Sequence, residues 1–127
     1  LKKFLIYHLP LIVYAGLILG VSSLSNLRSP QIRFLAADKL AHFLEYALFA
    51  LLTYRSMSRL VGGASDRTPF FVSLLVLALF AVLDETLQSF IPGRKPDLLD
   101  YVSDVTGGVL VLALLWYRSA QKRRSAE

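Results

Sequence analysis

Ionisable and strongly polar side chains occur in this chain at three places inside long apolar runs. Asp38, Lys39, His42 and Glu45 open one run, Asp84, Glu85 and Gln88 lie near the end of the next, and Asp100 and Asp104 open the last. Arg94, Lys95 and Asp97 stand between the last two. His42 is a candidate general base, since an imidazole titrates near neutral pH. Glu85 and Asp100 are the other catalytic candidates. Asp38, Lys39, Gln88 and Arg94 are candidate ligand-binding residues, and the planar fork of Arg94 suits a phosphate or carboxylate.

Each residue also has a purely structural reading. His42 can bond a neighbouring helix, and Glu85 with Gln88 can form an interhelical polar clamp. Arg94 can pair with Asp97, Asp100 or Glu85. Asp38 can cap a helix while Lys39 snorkels to the interface. Asp84 faces elsewhere and bonds a partner helix. The oxygen and imidazole donors of Glu85, His42, Asp100 and Asp104 permit a divalent cation without diagnosing one. No metal and no cofactor are assigned.

Helical spacing groups these residues. Asp38 and His42 are four apart and share a face, with Glu45 or Tyr46 one turn deeper. Glu85 and Gln88 are three apart. Asp97, Asp100 and Asp104 form a stripe that continues to Gly107 or Gly108, where the small residues let another helix approach closely. Glu85 lies roughly 9 Å inside the end of its run. A carboxylate near a membrane helix centre costs about 2.5–3.5 kcal/mol, so contact with lipid alone is disfavoured.

The elements that carry these residues follow from hydropathy. Hydrophobic residues make up 55% of the 127 positions, and the formal net charge is +5. Mean hydropathy is +0.54 and the pI is near 9.7. The basic residues cluster beside apolar runs, which suits lipid head groups rather than nucleic acid. Cysteine is absent, which excludes disulfides, thiolate metal sites and thiol catalysis.

A span needs roughly 20 apolar residues. Four candidates cover about 4–24, 38–60, 69–91 and 100–117, predicting an all-α four-helix transmembrane bundle in one domain over 1–127. Pro10 kinks the first span or ends a short interfacial turn. Pro69 starts the third, Pro92-Gly93 ends it, and Trp116, Tyr117 and Arg118 anchor the fourth at an interface. Loops are expected over 25–37, 61–68 and 93–99, and a frayed tail over 121–127.

Lys2, Lys3, Arg55, Arg59, Arg67, Arg118, Lys122, Arg123 and Arg124 fall on one side of such a bundle. Arg28, Arg33, Lys39, Arg94 and Lys95 fall on the other, mixed with acids. The positive-inside rule places the N and C termini on the cytoplasmic side. The polar residues of the last three spans then share one extracytoplasmic level.

The series Asp38-Lys39-x-x-His42-Phe43-x-x-Tyr46, then Glu85-x-x-Gln88, then Arg94, Asp100 and Gly107 resembles the VanZ-like family. These are small polytopic membrane proteins named after one associated with resistance to the glycopeptide teicoplanin. The resemblance runs from about Asp38 to Val111. Asp104 stands where the family commonly has Asn, adding a negative charge, and Val111 stands where it has a second glycine. The resemblance implies cell-envelope biology and an antibiotic phenotype rather than a reaction.

Three functions are therefore expected to compete. The first is a multi-pass cell-membrane protein whose outward cluster binds or modifies an anionic envelope component, such as a lipid-linked precursor. The second is a membrane-embedded hydrolase or transferase acting on a lipid-linked substrate. The third is a small transporter or scaffold subunit in which the cluster only locks helices together. Membrane lipids are expected partners, nucleic acid is not, and the short bundle leaves room for oligomerisation.

Overall fold

The computed structural model describes residues 1–24, 35–62, 67–92 and 97–125. Five helices follow in chain order: α1 (Lys2–Tyr7), α2 (Leu9–Ser22), α3 (Leu35–Leu60), α4 (Thr68–Ser89) and α5 (Leu98–Arg124). No strand occurs among the described residues.

The first expected span is divided. Pro10 stands at the first turn of α2, where its missing N–H leaves no helical bond unmade. His8 forms the joint, with φ −106° and ψ −39°. The break is shallow, because the His8 N–H still reaches the Phe4 carbonyl at 2.9 Å and Ile12 reaches His8 at 3.1 Å. Side chains fix it against α3. His8 Nδ1 is hydrogen-bonded to Ser56 Oγ at 2.7 Å. The Tyr7 hydroxyl accepts from Arg59 at 3.1 Å, while the guanidinium groups of Arg55 and Arg59 lie 5.2 and 4.5 Å from the Tyr7 ring centre. Further along, the Tyr14 hydroxyl on α2 donates to the Glu45 carbonyl at 3.2 Å.

α3 begins at Leu35, almost one turn before Asp38. α4 ends at Ser89 rather than Ile91. Its exit tightens into three-residue bonds, Phe90 to Leu87 at 3.2 Å and Ile91 to Gln88 at 3.1 Å. The cause is local: Pro92 disfavours helical geometry at the residue before it. α5 continues to Arg124, so residues 121–124 are helical where fraying was expected. Lys122 and Arg124 in the final turns suit the negative end of the helix dipole.

Tyr46, Phe49 and Ala50 of α3, Leu77 and Ala81 of α4, Leu112 of α5 and Ile18 of α2 form the buried core. Phe49 stacks on Phe80 with ring centres 4.4 Å apart. A Cβ on Gly107 would overlap the Phe43 carbonyl oxygen, and one on Gly108 would overlap the Leu77 side chain. The glycine pair thus brings α5 against α3 and α4 at once, the close approach its small size predicts.

Polarity is inverted relative to a protein folded in water. Thr53, Ser56, Ser73, Asp84, Gln88, Asp100 and Asp104 are buried. Leu44, Leu48, Leu51, Phe71, Leu75, Leu79, Val82, Leu110 and Leu114 are exposed. Apolar faces of that extent cost free energy in water but none against lipid. α4 and the stretch Leu98–Lys122 of α5 are long and apolar enough to cross a membrane. α2 is apolar but has 14 residues, roughly 21 Å. α3 is long enough but carries Asp38, Lys39, Glu45, Arg55 and Arg59. Only two of the four expected spans therefore pass by length and composition among the described residues.

Candidate functional site

α3 presents Lys39, His42 and Tyr46 at helical spacing toward α5 and α4. α5 answers with Asp100 and Asp104 one turn apart, and with Asp97 just before its first turn. Lys39 Nζ donates to Asp97 Oδ2 at 2.9 Å and to Asp38 Oδ2 at 3.4 Å, and forms a close ion pair with Asp100. His42 bridges the two acids of α5. Its Nδ1 is 3.0 Å from Asp104 Oδ1, and its Nε2 is 3.5 Å from Asp100 Oδ1. The side chains of Asp100 and Asp104 are 1% and 0% exposed, while Asp38 and Asp97 are 34% and 37% exposed, so the network runs from the surface into the interior.

Deeper in the bundle, the Tyr46 hydroxyl donates to Asp84 Oδ2 at 3.3 Å. Asp84 is buried and bonds a partner helix, as its position on α4 suggested. Glu85 turns the other way. Its Oε2 accepts the Asp97 N–H at 3.3 Å, which ties α4 to the start of α5. Asp97 in turn accepts the Leu99 N–H at 2.9 Å, capping that helix. A cavity of about 510 Å³ opens beside Glu85, lined also by Val82, Thr86, Ser89, Asp97, Leu98 and Tyr101.

Four buried atoms here have no hydrogen-bond partner among the described residues: Asp84 Oδ1, Glu85 Oε1, Gln88 Nε2 and Asp104 Oδ2. Each unsatisfied group costs about 1–3 kcal/mol.

The structure thus joins Asp38, Lys39, His42 and Asp100 directly and reaches Glu85 through Asp97. Gln88 is buried one turn beyond Glu85. Arg94 lies outside the described residues, as does Lys95. Asp38, His42 and Asp100 each offer a donor atom within 4.8 Å of the others. Asp104 orients His42 as carboxylates orient metal-bound histidines. Lys39, however, brings its own cation to the same carboxylates, so the geometry reads as an internal ion-pair cluster. In the sequence Asp97 was a possible partner of Arg94 and Asp104 a possible cation donor, both on one acidic stripe, and neither was singled out as a partner of Lys39 or His42.

The sequence profile of the VanZ/LLP1 family matches residues 5–119. The chain belongs to the VanZ/LLP1 family. No curated protein and no solved structure matches it. The VanZ match reaches beyond the motif-bearing part into α1 and α2, so the joint at Tyr7 and His8 belongs to the same family unit. Taken with the long apolar helices α4 and α5, it makes the protein membrane-associated.

Proposed function

We propose that this VanZ-family protein crosses the cell membrane four times, with both termini in the cytoplasm, and binds a lipid-linked component of the envelope at its outer polar cluster. The charge asymmetry of the ends supports the orientation. The observation that carries the binding role is the cavity beside Glu85, bordering a buried ionic network that holds unsatisfied polar atoms. Lys39, His42, Asp97, Asp100 and Asp104 hold α3 and α5 in register, and Glu85 presents the site to an occupant. Asp38, Gln88 and Arg94 complete the proposed set. The family name links the protein to glycopeptide tolerance, so susceptibility is the readout. Cells carrying Glu85→Ala or Arg94→Ala are expected to differ from wild type in glycopeptide susceptibility at equal protein levels. Wild-type behaviour of both variants at normal accumulation would defeat the proposal.

One observation favours a second reading, a membrane-embedded hydrolase or transferase. His42 is oriented by a buried carboxylate, as general bases are. Incubation of the purified protein with labelled lipid-linked precursors tests this, and absence of turnover across such substrates eliminates it.

A further inference from the structure

At the end of α3 remote from the polar cluster, two arginines are held in place without an acid. Arg55 and Arg59 are one turn apart, and their guanidinium groups lie 5.2 and 4.5 Å from the centre of the same Tyr7 ring. Arg59 also donates to the Tyr7 hydroxyl at 3.1 Å. The bond between His8 and the buried Ser56 ties α1 to α3 at the neighbouring residue of each helix, which keeps the ring beside the arginines. Neither arginine forms an ion pair among the described residues, and Arg55 makes no hydrogen bond there. Like charges one turn apart repel each other. Each guanidinium carries five donors, and an aromatic face occupies its plane while leaving its N–H edge for an anion.

Depth in the bilayer identifies that anion. Lys39 and Arg59 are twenty residues apart on α3, roughly 30 Å along a helix, which matches the hydrocarbon thickness. With Lys39 at the outer boundary, Arg59 reaches the inner one and Arg55 lies about 6 Å inside it. α1 repeats the order, since Lys2 and Lys3 precede Tyr7 by about 6–8 Å of helix. Phe4, Leu5 and Ile6, just before Tyr7, are 47%, 46% and 41% exposed, so α1 turns apolar side chains outward at this level. The pair thus stands where lipid phosphates meet acyl chains, and a charge at that depth is tolerated by reaching to the interface.

We infer that Arg55 and Arg59, docked on Tyr7, form an inner-leaflet binding site for the phosphate of an anionic lipid. Two forks fixed on one ring can each give a phosphate oxygen charge-assisted bonds. A zwitterionic head group offsets its phosphate with its own ammonium, so the site selects lipids of net negative charge. The apolar surface of α1 favours an acyl-bearing occupant over free phosphate. The inference rests on α3 crossing the bilayer as proposed above, and the outer cluster takes no part in it.

The test uses the full chain in mixed micelles of an uncharged detergent, with displacement of a fluorescent anionic lipid as the signal. The competitors are phosphatidylglycerol, phosphatidylcholine and inorganic phosphate. Phosphatidylglycerol is expected to bind about tenfold tighter than phosphatidylcholine, the worth of one charge-assisted hydrogen bond. Arg55→Gln with Arg59→Gln should abolish that preference. Arg118→Gln with Lys122→Gln removes the same number of positive charges from the same end of the bundle and should leave it intact.

Equal binding of the two lipids to the wild-type protein overturns the inference without any variant. An equal loss of preference in the two double variants also overturns it, because diffuse charge would then suffice. If the Arg55 and Arg59 pair fails to fold, loss of preference in the Arg118 and Lys122 pair alone still decides against the site. Displacement by inorganic phosphate as effective as by phosphatidylglycerol excludes a lipid as the occupant. Cysteine labelling at Leu60 reports on the crossing of α3, and glycopeptide susceptibility reports on the outer cluster, so each reading fails on its own measurement.

Discussion

Gly107 meets Phe43 so closely that any side chain on the glycine would overlap the phenylalanine carbonyl oxygen. Two helix backbones therefore touch just below the level where Lys39 and His42 meet Asp100 and Asp104. Backbone cannot move aside as a side chain can. Gly107→Ala is expected to lower stability by about 1–3 kcal/mol, the usual range for overpacking. Gly108→Ala should cost less, because the Leu77 side chain in its way can change rotamer. Unfolding in detergent, followed by circular dichroism, checks the order. Equal stability of the two variants would contradict the backbone contact.

His42 and Asp104 should behave as a coupled pair. His42→Ala leaves a fully buried carboxylate without its partner, and breaking a buried pair costs about 3–5 kcal/mol. Asp104→Asn keeps an oxygen acceptor for the imidazole and should cost less. The double variant should be more stable than the sum of the single losses predicts, with a coupling of about 1–3 kcal/mol. Strict additivity in a double-mutant cycle rules out a direct bond.

Lys39 stands among the carboxylates of Asp38, Asp97 and Asp100, so its removal leaves like charges facing one another. Lys39→Ala should destabilise more than Lys39→Arg. Adding Asp97→Asn to Lys39→Ala should restore part of the loss by removing one negative charge. Thermal unfolding of the three proteins gives the ranking, and a further loss on adding Asp97→Asn would exclude simple charge repulsion.

The absence of native cysteine makes topology directly measurable. Single cysteines at Leu24 and Phe90 should react with an impermeant maleimide in intact cells. Single cysteines at Leu60 and Ser125 should react only after permeabilisation. Labelling of Leu60→Cys in intact cells is incompatible with four crossings and cytoplasmic ends.

Much of the helical framework was legible, because the start and stop residues act locally. Pro10, Pro69 and Pro92 set their boundaries through a missing N–H and a fixed φ, and each effect is written in the sequence itself. The extent of α5 was less legible, because its charged end resembles a solvated tail although it favours the helix dipole. Within the site, the level shared by Asp38, Lys39, His42 and Asp100 followed from counting turns. The pairing did not. Which carboxylate takes Lys39 and which takes His42 depends on the rotation of α5 against α3, and the Gly107 contact fixes that rotation. Asp104 shows the point well. Read alone, it was an added negative charge, whereas the fold makes it the buried partner of His42. The Glu85 cavity was illegible, since it arises from the space between two helices rather than from any residue pattern.

The ion pairs between α3 and α5 also impose an order on biogenesis. Lys39 and His42 leave the ribosome 61 and 62 residues before Asp100 and Asp104, the acids that neutralise them. Until the last helix arrives, α3 carries a cation and an imidazole with much of their eventual neutralisation missing. A chain cut short before α5 leaves Lys39 with Asp38 as its acidic neighbour on the same helix, so the charge is only partly compensated until the last helix docks.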